Sequence, residues 1–403
     1  MQTFNPVDLV VLQGTPFCNV NCSYCDLSAH SRRTRSIMSM DLIDRIFGQL
    51  FGSGLLADSV RVVWHSGEPL TLAPSYYEAA VSRVIAMRNA AGPNAPTIEF
   101  DIQTNGVLID EDWCSFFKRH QSYFKVGISC DGPADMHDSF RRNWGGKPTH
   151  AKVLRAMEML HAHGIKFKVI AVVTEKTLAD PAAFYRFFEQ RHHMLSGFHF
   201  NILASGRGLQ SDLSYSADDR QQYYIFFRQL LDLGARANRS GDGFQIANFT
   251  QMLSRILREV PEGAALYMQE SSAPVKSLTV DVEGNVTSFY AGLSSDVLAD
   301  DYGDGRGLSL GNIQDVPLLD MLKADKFLKI VSDFRKSQDH CIKTCEYAGI
   351  CSGGFEITKR TVHGRFDAGE TAECIVHVKA LADAILDDIG DHVGQPSDLA
   401  VAS

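Results

Sequence analysis

The 403-residue sequence has no apolar run long enough to span a bilayer, and its opening residues, MQTFNPVDLVVLQGTPF, lack the positive segment and cleavage site of a secretory signal. No membrane partner is expected, and a cytoplasmic location is. There is no basic block either: 39 lysines and arginines face 48 aspartates and glutamates, for a net charge of −9. That balance argues against nucleic acid as the main partner. What is present is an ordinary folded-protein composition, 45% hydrophobic and 22% charged, in a chain long enough for a large domain plus a smaller one. Nine cysteines in a reducing compartment read as metal ligands, reactive groups or core thiols rather than disulfides.

Short β-branched or aromatic runs fall at Asp8 to Gln13, Val60 to Trp64, Ile98 to Gln103, Phe124 to Ser129, Phe167 to Val173 and Phe198 to Leu203. Helical stretches lie between them at Met40 to Leu50, Ser75 to Ala91, Asp110 to Arg119, Lys152 to Gly164 and Pro181 to Gln190. The alternation predicts an α/β fold, a partial (β/α)6 TIM-like barrel with its site at the C-terminal strand ends. The unusual polar clusters fall at those ends: the thiols of CNVNCSYCD, then HSGEP, QTNG and SCDGP, with Asn201 in the sixth strand. One shared site accounts for them all.

Cys18, Cys22 and Cys25 form a C-x3-C-x2-C loop, while Cys114 and Cys130 stand apart and read as buried small hydrophobes. Three thiolates hold three irons of a 4Fe–4S cluster and leave the fourth iron open to chelate a small molecule. A structural zinc site would normally use four protein ligands. The loop resembles the defining motif of the radical S-adenosylmethionine (SAM) enzymes, with Tyr24 at the aromatic position before the third cysteine. HSGEP resembles that family's glycine-rich GGEP element, with Ser66 in place of the first glycine. The resemblance implies S-adenosyl-L-methionine and a 4Fe–4S cluster as cofactors. It places Ser66, Gly67 and Glu68 beside the methionine amine, and Ser129 and Asp131 near the ribose and the methionine carboxylate. Arg141 either pairs with that carboxylate or is a solvated surface arginine; Gln103 and Asn105 either orient the nucleoside or close a turn. His65 and His137 are assigned no chemistry.

Beyond the barrel come a glycine- and serine-rich linker, Ser205 to Ser216, two helical stretches, Asp218 to Asn238 and Phe249 to Glu259, and a hairpin, Ser277 to Tyr290. The segment CIKTCEYAGICSGGF follows, with Cys374 further on. By spacing alone Cys341, Cys345, Cys351 and Cys374 suit zinc or a second iron–sulfur cluster. The segment resembles the SPASM extension of radical SAM enzymes, but its first gap is one residue longer, Phe355 replaces a cysteine, and the hairpin contains none. The resemblance therefore implies one auxiliary 4Fe–4S cluster, fully protein-ligated. From about Asp8 to Leu386 the chain is most similar to the maturases of glycine-rich-repeat peptides, which form cyclophanes. This implies a ribosomally synthesised precursor peptide as substrate, an electron donor such as flavodoxin or ferredoxin, and a 5′-deoxyadenosyl radical that starts a bond between an aromatic ring carbon and a neighbouring Cβ.

Formylglycine formation in a sulfatase, a thioether crosslink and epimerisation remain alternatives. Asp281, on the hairpin, is either the base or an exposed turn carboxylate. The expected units are a core barrel over 1–204, a linker with bridging helices over 205–276, an auxiliary-cluster domain over 277–386 and a mobile tail over 387–403. No separate leader-binding domain is expected.

Overall fold

The structure is a computed structural model that describes residues 6–202, 216–241, 243–258, 273–290, 297–351 and 353–393. Residues 205–215 of the expected linker, and the ends of the strand expected at Phe198 to Leu203 and of the helix expected at Phe249 to Glu259, lie outside the described residues. The first part of the chain alternates strand and helix: β1 (Val7–Leu12), α1 (Met40–Ser53), β2 (Leu56–Trp64), α2 (Pro74–Ala90), β3 (Thr97–Thr104), α3 (Glu111–His120) and β4 (Phe124–Ser129). It continues with α4 (Ala134–Phe140), α5 (His150–Ala162), β5 (Phe167–Val173), α6 (Glu175–Ala179), α7 (Pro181–Glu189) and β6 (Leu195–Ile202). The six strands stand side by side in chain order, and each neighbouring pair is parallel. This is the α/β architecture expected from the alternation. Local signals mark the helix ends. Ser39 accepts the Leu42 N–H at the start of α1, Asp110 accepts the Trp113 N–H at the start of α3, and Gly54 ends α1 in the left-handed region.

Parallel strands are usually apolar on both faces. Here they alternate. Val10, Leu12, Val62, Trp64, Phe100 and Ile102 are buried in the core. Their neighbours Leu9, Val11, Arg61, Val63, Asp101 and Gln103 point the other way and line a cavity of about 410 Å³. Lys125, Lys168 and His199 complete that polar lining from β4, β5 and β6.

Two long helices follow, α8 (Arg220–Ser240) and α9 (Ala247–Ile256), then β7 (Ser277–Val280), β8 (Asn285–Thr287) and β9 (Gly311–Asn312). The hairpin departs from the expected domain division. β7 pairs in parallel with β1, and β8 and β9 add antiparallel beyond it, so one nine-stranded sheet runs through both parts. β1 needs a partner on its second edge. Backbone bonds from Asp8, Leu9 and Gln13 to the Lys276 and Val280 carbonyls supply it.

The chain ends in α10 (Leu318–Met321), α11 (Asp325–Thr344), α12 (Ala348–Cys351), α13 (Glu356–His363), α14 (Ala372–Cys374), a π-helical turn over Ile375–Ala380 and α15 (Leu381–Val393). The tail expected to be mobile from Asp387 is helical as far as Val393. It docks on α8, where Tyr224 donates to Asp387, and Arg228 pairs with Asp388 and Asp391. Among the described residues no helix is long and apolar enough to cross a membrane.

Candidate functional site

The loop after β1 carries the first three thiols. The Cys25 N–H donates to the Cys22 carbonyl at 3.3 Å, which turns the loop back on itself. The sulfur of Cys18 accepts the Val20 N–H at 3.4 Å and faces the Asn105 side-chain amide at 3.8 Å. Burial pushes the Cys18 thiol up to about 12, with the Glu68 charge adding to it, and burial pushes Cys22 up to about 11. Cys25 is raised by burial as well. Among the described residues no three cysteine, histidine or acidic side chains gather as they would around a single ion. An iron–sulfur cluster asks for less convergence, because each thiolate takes its own iron and N–H groups aimed at sulfur support it. Bound iron also removes the protonation that burial favours. The donor set fits such a cluster.

The wall behind the thiols is the HSGEP turn. Ser66 and Gly67 both have positive φ, 75° and 59°. A Cβ on Gly67 would lie 2.2 Å from the Thr15 carbonyl oxygen and 2.8 Å from the Pro16 carbonyl carbon, so only glycine lets this turn lie against the approach to Cys18. Glu68 differs from its expected role as an acceptor facing the cofactor. It is 1% exposed. Its Oε1 accepts from Leu70 N (2.9 Å) and Thr104 Oγ1 (2.6 Å), and its Oε2 accepts from Asn105 N (2.7 Å). Burial pushes its carboxyl up to about 7 against the pull of those bonds. Glu68 thus ties the β2 end to the β3 end.

Asn105 closes the turn, one of the two roles considered for it, and also reaches the thiol loop. Its Oδ1 accepts the Val107 N–H and closes the turn, while its Nδ2 donates to Asn19 at 2.7 Å beside the Cys18 sulfur. Gln103 donates to the Ser129 hydroxyl at 3.2 Å on the cavity wall. Asn201 is exposed on β6, opposite Val172.

Arg141 is no surface arginine, and its fork is not offered to a cofactor. It is 8% exposed. Its Nε and Nη2 reach the two oxygens of Asp131 at 2.8 and 3.1 Å. Asp131 also accepts from the Tyr24 hydroxyl and from Val172 N (2.9 Å). Burial opposes the Asp131 charge, yet the Arg141 guanidinium holds its carboxyl below the usual range. The arginine also lies 5.3 Å from the Tyr24 ring, between Cys22 and Cys25 in the chain. This buried triad braces the thiol loop from β4. Asp131, expected near the ribose, is spent on that brace.

Asp281 sits at the end of β7, but its oxygens accept the Glu283 and Asn285 N–H groups and the Asn285 amide. It holds the hairpin turn, which leaves the reaction's base without an assigned residue.

The other four thiols rim a separate cavity of about 250 Å³, together with Lys359 and Lys379. Cys341 lies in the last turn of α11, Cys345 caps that helix, Cys351 ends α12 and Cys374 ends α14. Burial pushes Cys351 up to about 12, reinforced by Cys374, Cys341 and Cys345. Thiols from three elements around one cavity fit a protein-ligated cluster. Phe355, at a cysteine position of the resembled pattern, has φ 61° and packs its ring 6.0 Å from His377.

Three neighbours were not legible in the sequence. Trp144 donates to the Cys18 carbonyl at 2.8 Å, with the Arg33 guanidinium 4.3 Å from its ring. Arg32 is buried and accepts the Cys18 N–H on its carbonyl. Lys359 puts its ammonium 2.8 Å from the Cys341 sulfur. Each joins positions far apart or reads locally as a surface residue.

Comparison with known proteins agrees with this geometry. Residues 12–188 match the Radical SAM superfamily. An uncharacterized protein of Synechocystis is 28% identical over 97% of this chain and 94% of its own length. The serine-type anaerobic sulfatase-maturating enzyme of Bacteroides thetaiotaomicron is 26% identical over 86% of this chain and 82% of its own. Among solved structures, native anSMEcpe with bound AdoMet superposes with a TM-score of 0.76 at 21% identity, covering 96% of this chain and 99% of that one. Streptococcus suis SuiB bound to the precursor peptide SuiA gives 0.58 at 14%, covering 88% and 72%. At such identities the two structures speak for the fold.

Proposed function

This is a radical SAM enzyme, and on that premise we propose that it oxidises a ribosomally made precursor peptide, joining an aromatic ring carbon to the Cβ of a nearby residue. The observation that carries the reading is the C-terminal cavity: four cysteines surround it, while the hairpin carries Ser288, Phe289 and Tyr290 and no cysteine. One protein-ligated auxiliary cluster leaves no open iron there for substrate, which suits an electron acceptor.

With S-adenosyl-L-methionine and its cluster bound, and an electron from a donor such as flavodoxin or ferredoxin, the barrel end supplies a radical that removes a hydrogen atom from an unactivated carbon. Cys18, Cys22 and Cys25 hold that cluster, and Gly67, Asn105 and the Tyr24–Asp131–Arg141 brace keep the loop in place. The polar cavity lined by Gln103, Lys125 and Lys168 receives the peptide segment. One hydrogen atom leaves the Cβ, the new bond forms to the ring, and one electron and one proton leave as the ring regains aromaticity. Cys341, Cys345, Cys351 and Cys374 hold the acceptor for that electron. The radical step belongs to the 1–204 region and the acceptor to 277–386.

A second reading, formylglycine formation, is favoured by the similarity to a sulfatase-maturating enzyme over most of both chains. Conversion of serine to formylglycine also removes two hydrogens, so mass alone does not separate the two. Co-expression with a precursor peptide encoded nearby, followed by mass spectrometry with and without hydroxylamine, does. A product two hydrogens lighter that stays unreactive, with fragmentation placing the link on an aromatic residue and not on a cysteine sulfur, supports the crosslink. An adduct at an aldehyde supports formylglycine, and an unchanged mass with altered chirality refutes both. Loaded protein should carry about eight irons per chain, four for each cluster.

A further inference from the structure

Lys359 is 1% exposed, and its ammonium makes three contacts: the Cys341 sulfur at 2.8 Å, the Ser337 hydroxyl at 2.9 Å and the Ser337 carbonyl at 3.4 Å. Those three acceptors match the three donors of an ammonium group. No carboxylate lies within ion-pair distance of it among the described residues. Its neighbour Lys379 shows the contrast, since that ammonium pairs with Glu370.

A buried ammonium without a counter-charge is costly. The backbone is shaped to put one here all the same. Gly353 has φ 74°, and a Cβ there would lie 2.8 Å from the Gln338 Cα and 3.3 Å from the Cys341 Cβ. The chain then passes through Phe355 in the left-handed region and enters α13, on whose first turns Lys359 faces α11. Ser337 and Cys341 are four residues apart on α11, so they share one helix face and receive the same ammonium.

Resting on the reading of these four cysteines as auxiliary-cluster ligands, we infer that Lys359 sets the reduction potential of that cluster. Reduction adds one negative charge to a cluster in a low-dielectric cavity. A fixed cation bonded to one ligand sulfur stabilises the reduced form more than the oxidised form. Lys359 therefore raises the potential and makes the cluster a better acceptor for the electron leaving the substrate. The ligated thiolates in turn provide the counter-charge that the ammonium lacks. Lys359 acts through Cys341 and is a positioning residue for charge.

The test is a potentiometric titration of the loaded full-length chain followed by electron paramagnetic resonance, in a Cys22→Ala background so that only the auxiliary cluster reports. Lys359→Met and Lys359→Gln should retain about four irons and shift the midpoint to lower potential, while Lys359→Arg should stay near the parent. Lys379→Met should shift it less, because that charge is already paired. A neutral variant that keeps its cluster at an unchanged potential overturns the inference. So does failure of both neutral variants to load when Lys359→Arg loads, since the cation would then be needed for assembly and not for tuning. If the parent itself has no second redox-active cluster, the auxiliary-cluster reading falls, and the inference falls with it.

Discussion

Replacing Gly67 with alanine should destabilise the protein by roughly 2–5 kcal/mol. Part of this is the left-handed backbone, φ 59°, which costs a residue with a Cβ about 1–2 kcal/mol. The rest is steric: the new carbon would lie 2.2 Å from the Thr15 oxygen, and a backbone atom cannot rotate aside as a side chain can. Moving that segment adds about 1–3 kcal/mol. Gly54→Ala separates the two parts. Gly54 has φ 69°, but nothing lies within 4 Å of the position its Cβ would take, so only about 1–2 kcal/mol applies. Both changes also reduce the freedom of the unfolded chain by similar amounts, which cancels in the comparison. Urea unfolding of the loaded protein should place Gly67→Ala below Gly54→Ala by about 1–3 kcal/mol, a large share of a total near 5–15. Because the displaced residues lead directly to Cys18, Gly67→Ala should also lose SAM cleavage while Gly54→Ala keeps it. Equal stability and equal cleavage in the two variants would refute the close-approach argument.

Cys22→Ala should abolish formation of 5′-deoxyadenosine in anaerobic turnover with a strong reductant, since it strips one of three ligands; product at the wild-type level would sink the ligand assignment. Arg141→Met leaves the Asp131 carboxylate buried without its cation and should cost about 3–5 kcal/mol, much of which the added change Asp131→Asn should restore; a single-variant cost under about 1 kcal/mol would mean that the brace is slack. The third test concerns His137, whose Nδ1 accepts the Asp131 N–H while its Nε2–H meets the Thr149 hydroxyl, which donates in turn to the Arg141 carbonyl. A proton on Nδ1 would face an N–H, and burial already lowers this group from 6.5 to about 4. The unfolded chain therefore takes up a proton between those values that the folded chain refuses, so stability should fall as pH drops through that window, by up to roughly 3 kcal/mol. In urea titrations between pH 7 and pH 5, His137→Asn should flatten that slope; the same slope in both proteins would discard the assignment.

Much of the fold and of the site's location could be read from the sequence because those features are local. β-branched and aromatic runs bounded by turn residues identified β4 and β5 with their observed limits, Phe124–Ser129 and Phe167–Val173, and located the other four strands of the barrel to within a few residues. The spacing of Cys18, Cys22 and Cys25, and the glycine of HSGEP, expose their chemistry over a handful of neighbouring positions. Tertiary structure alone decided where the charges went. Arg141 turned from a cofactor carboxylate to Asp131, Glu68 turned from a facing acceptor to a tie between β2 and β3, and of the two readings open for Asp281 the fold took the turn. It also decided that the hairpin would complete the edge of β1, and that Lys359, one basic residue of KR in a helical stretch, would lie against a thiol. The physical reason is reach. Hydrophobic period and turn chemistry act over a few residues, whereas a buried polar group takes whatever partner the packed fold brings within about 3 Å, and that partner can lie anywhere along the chain.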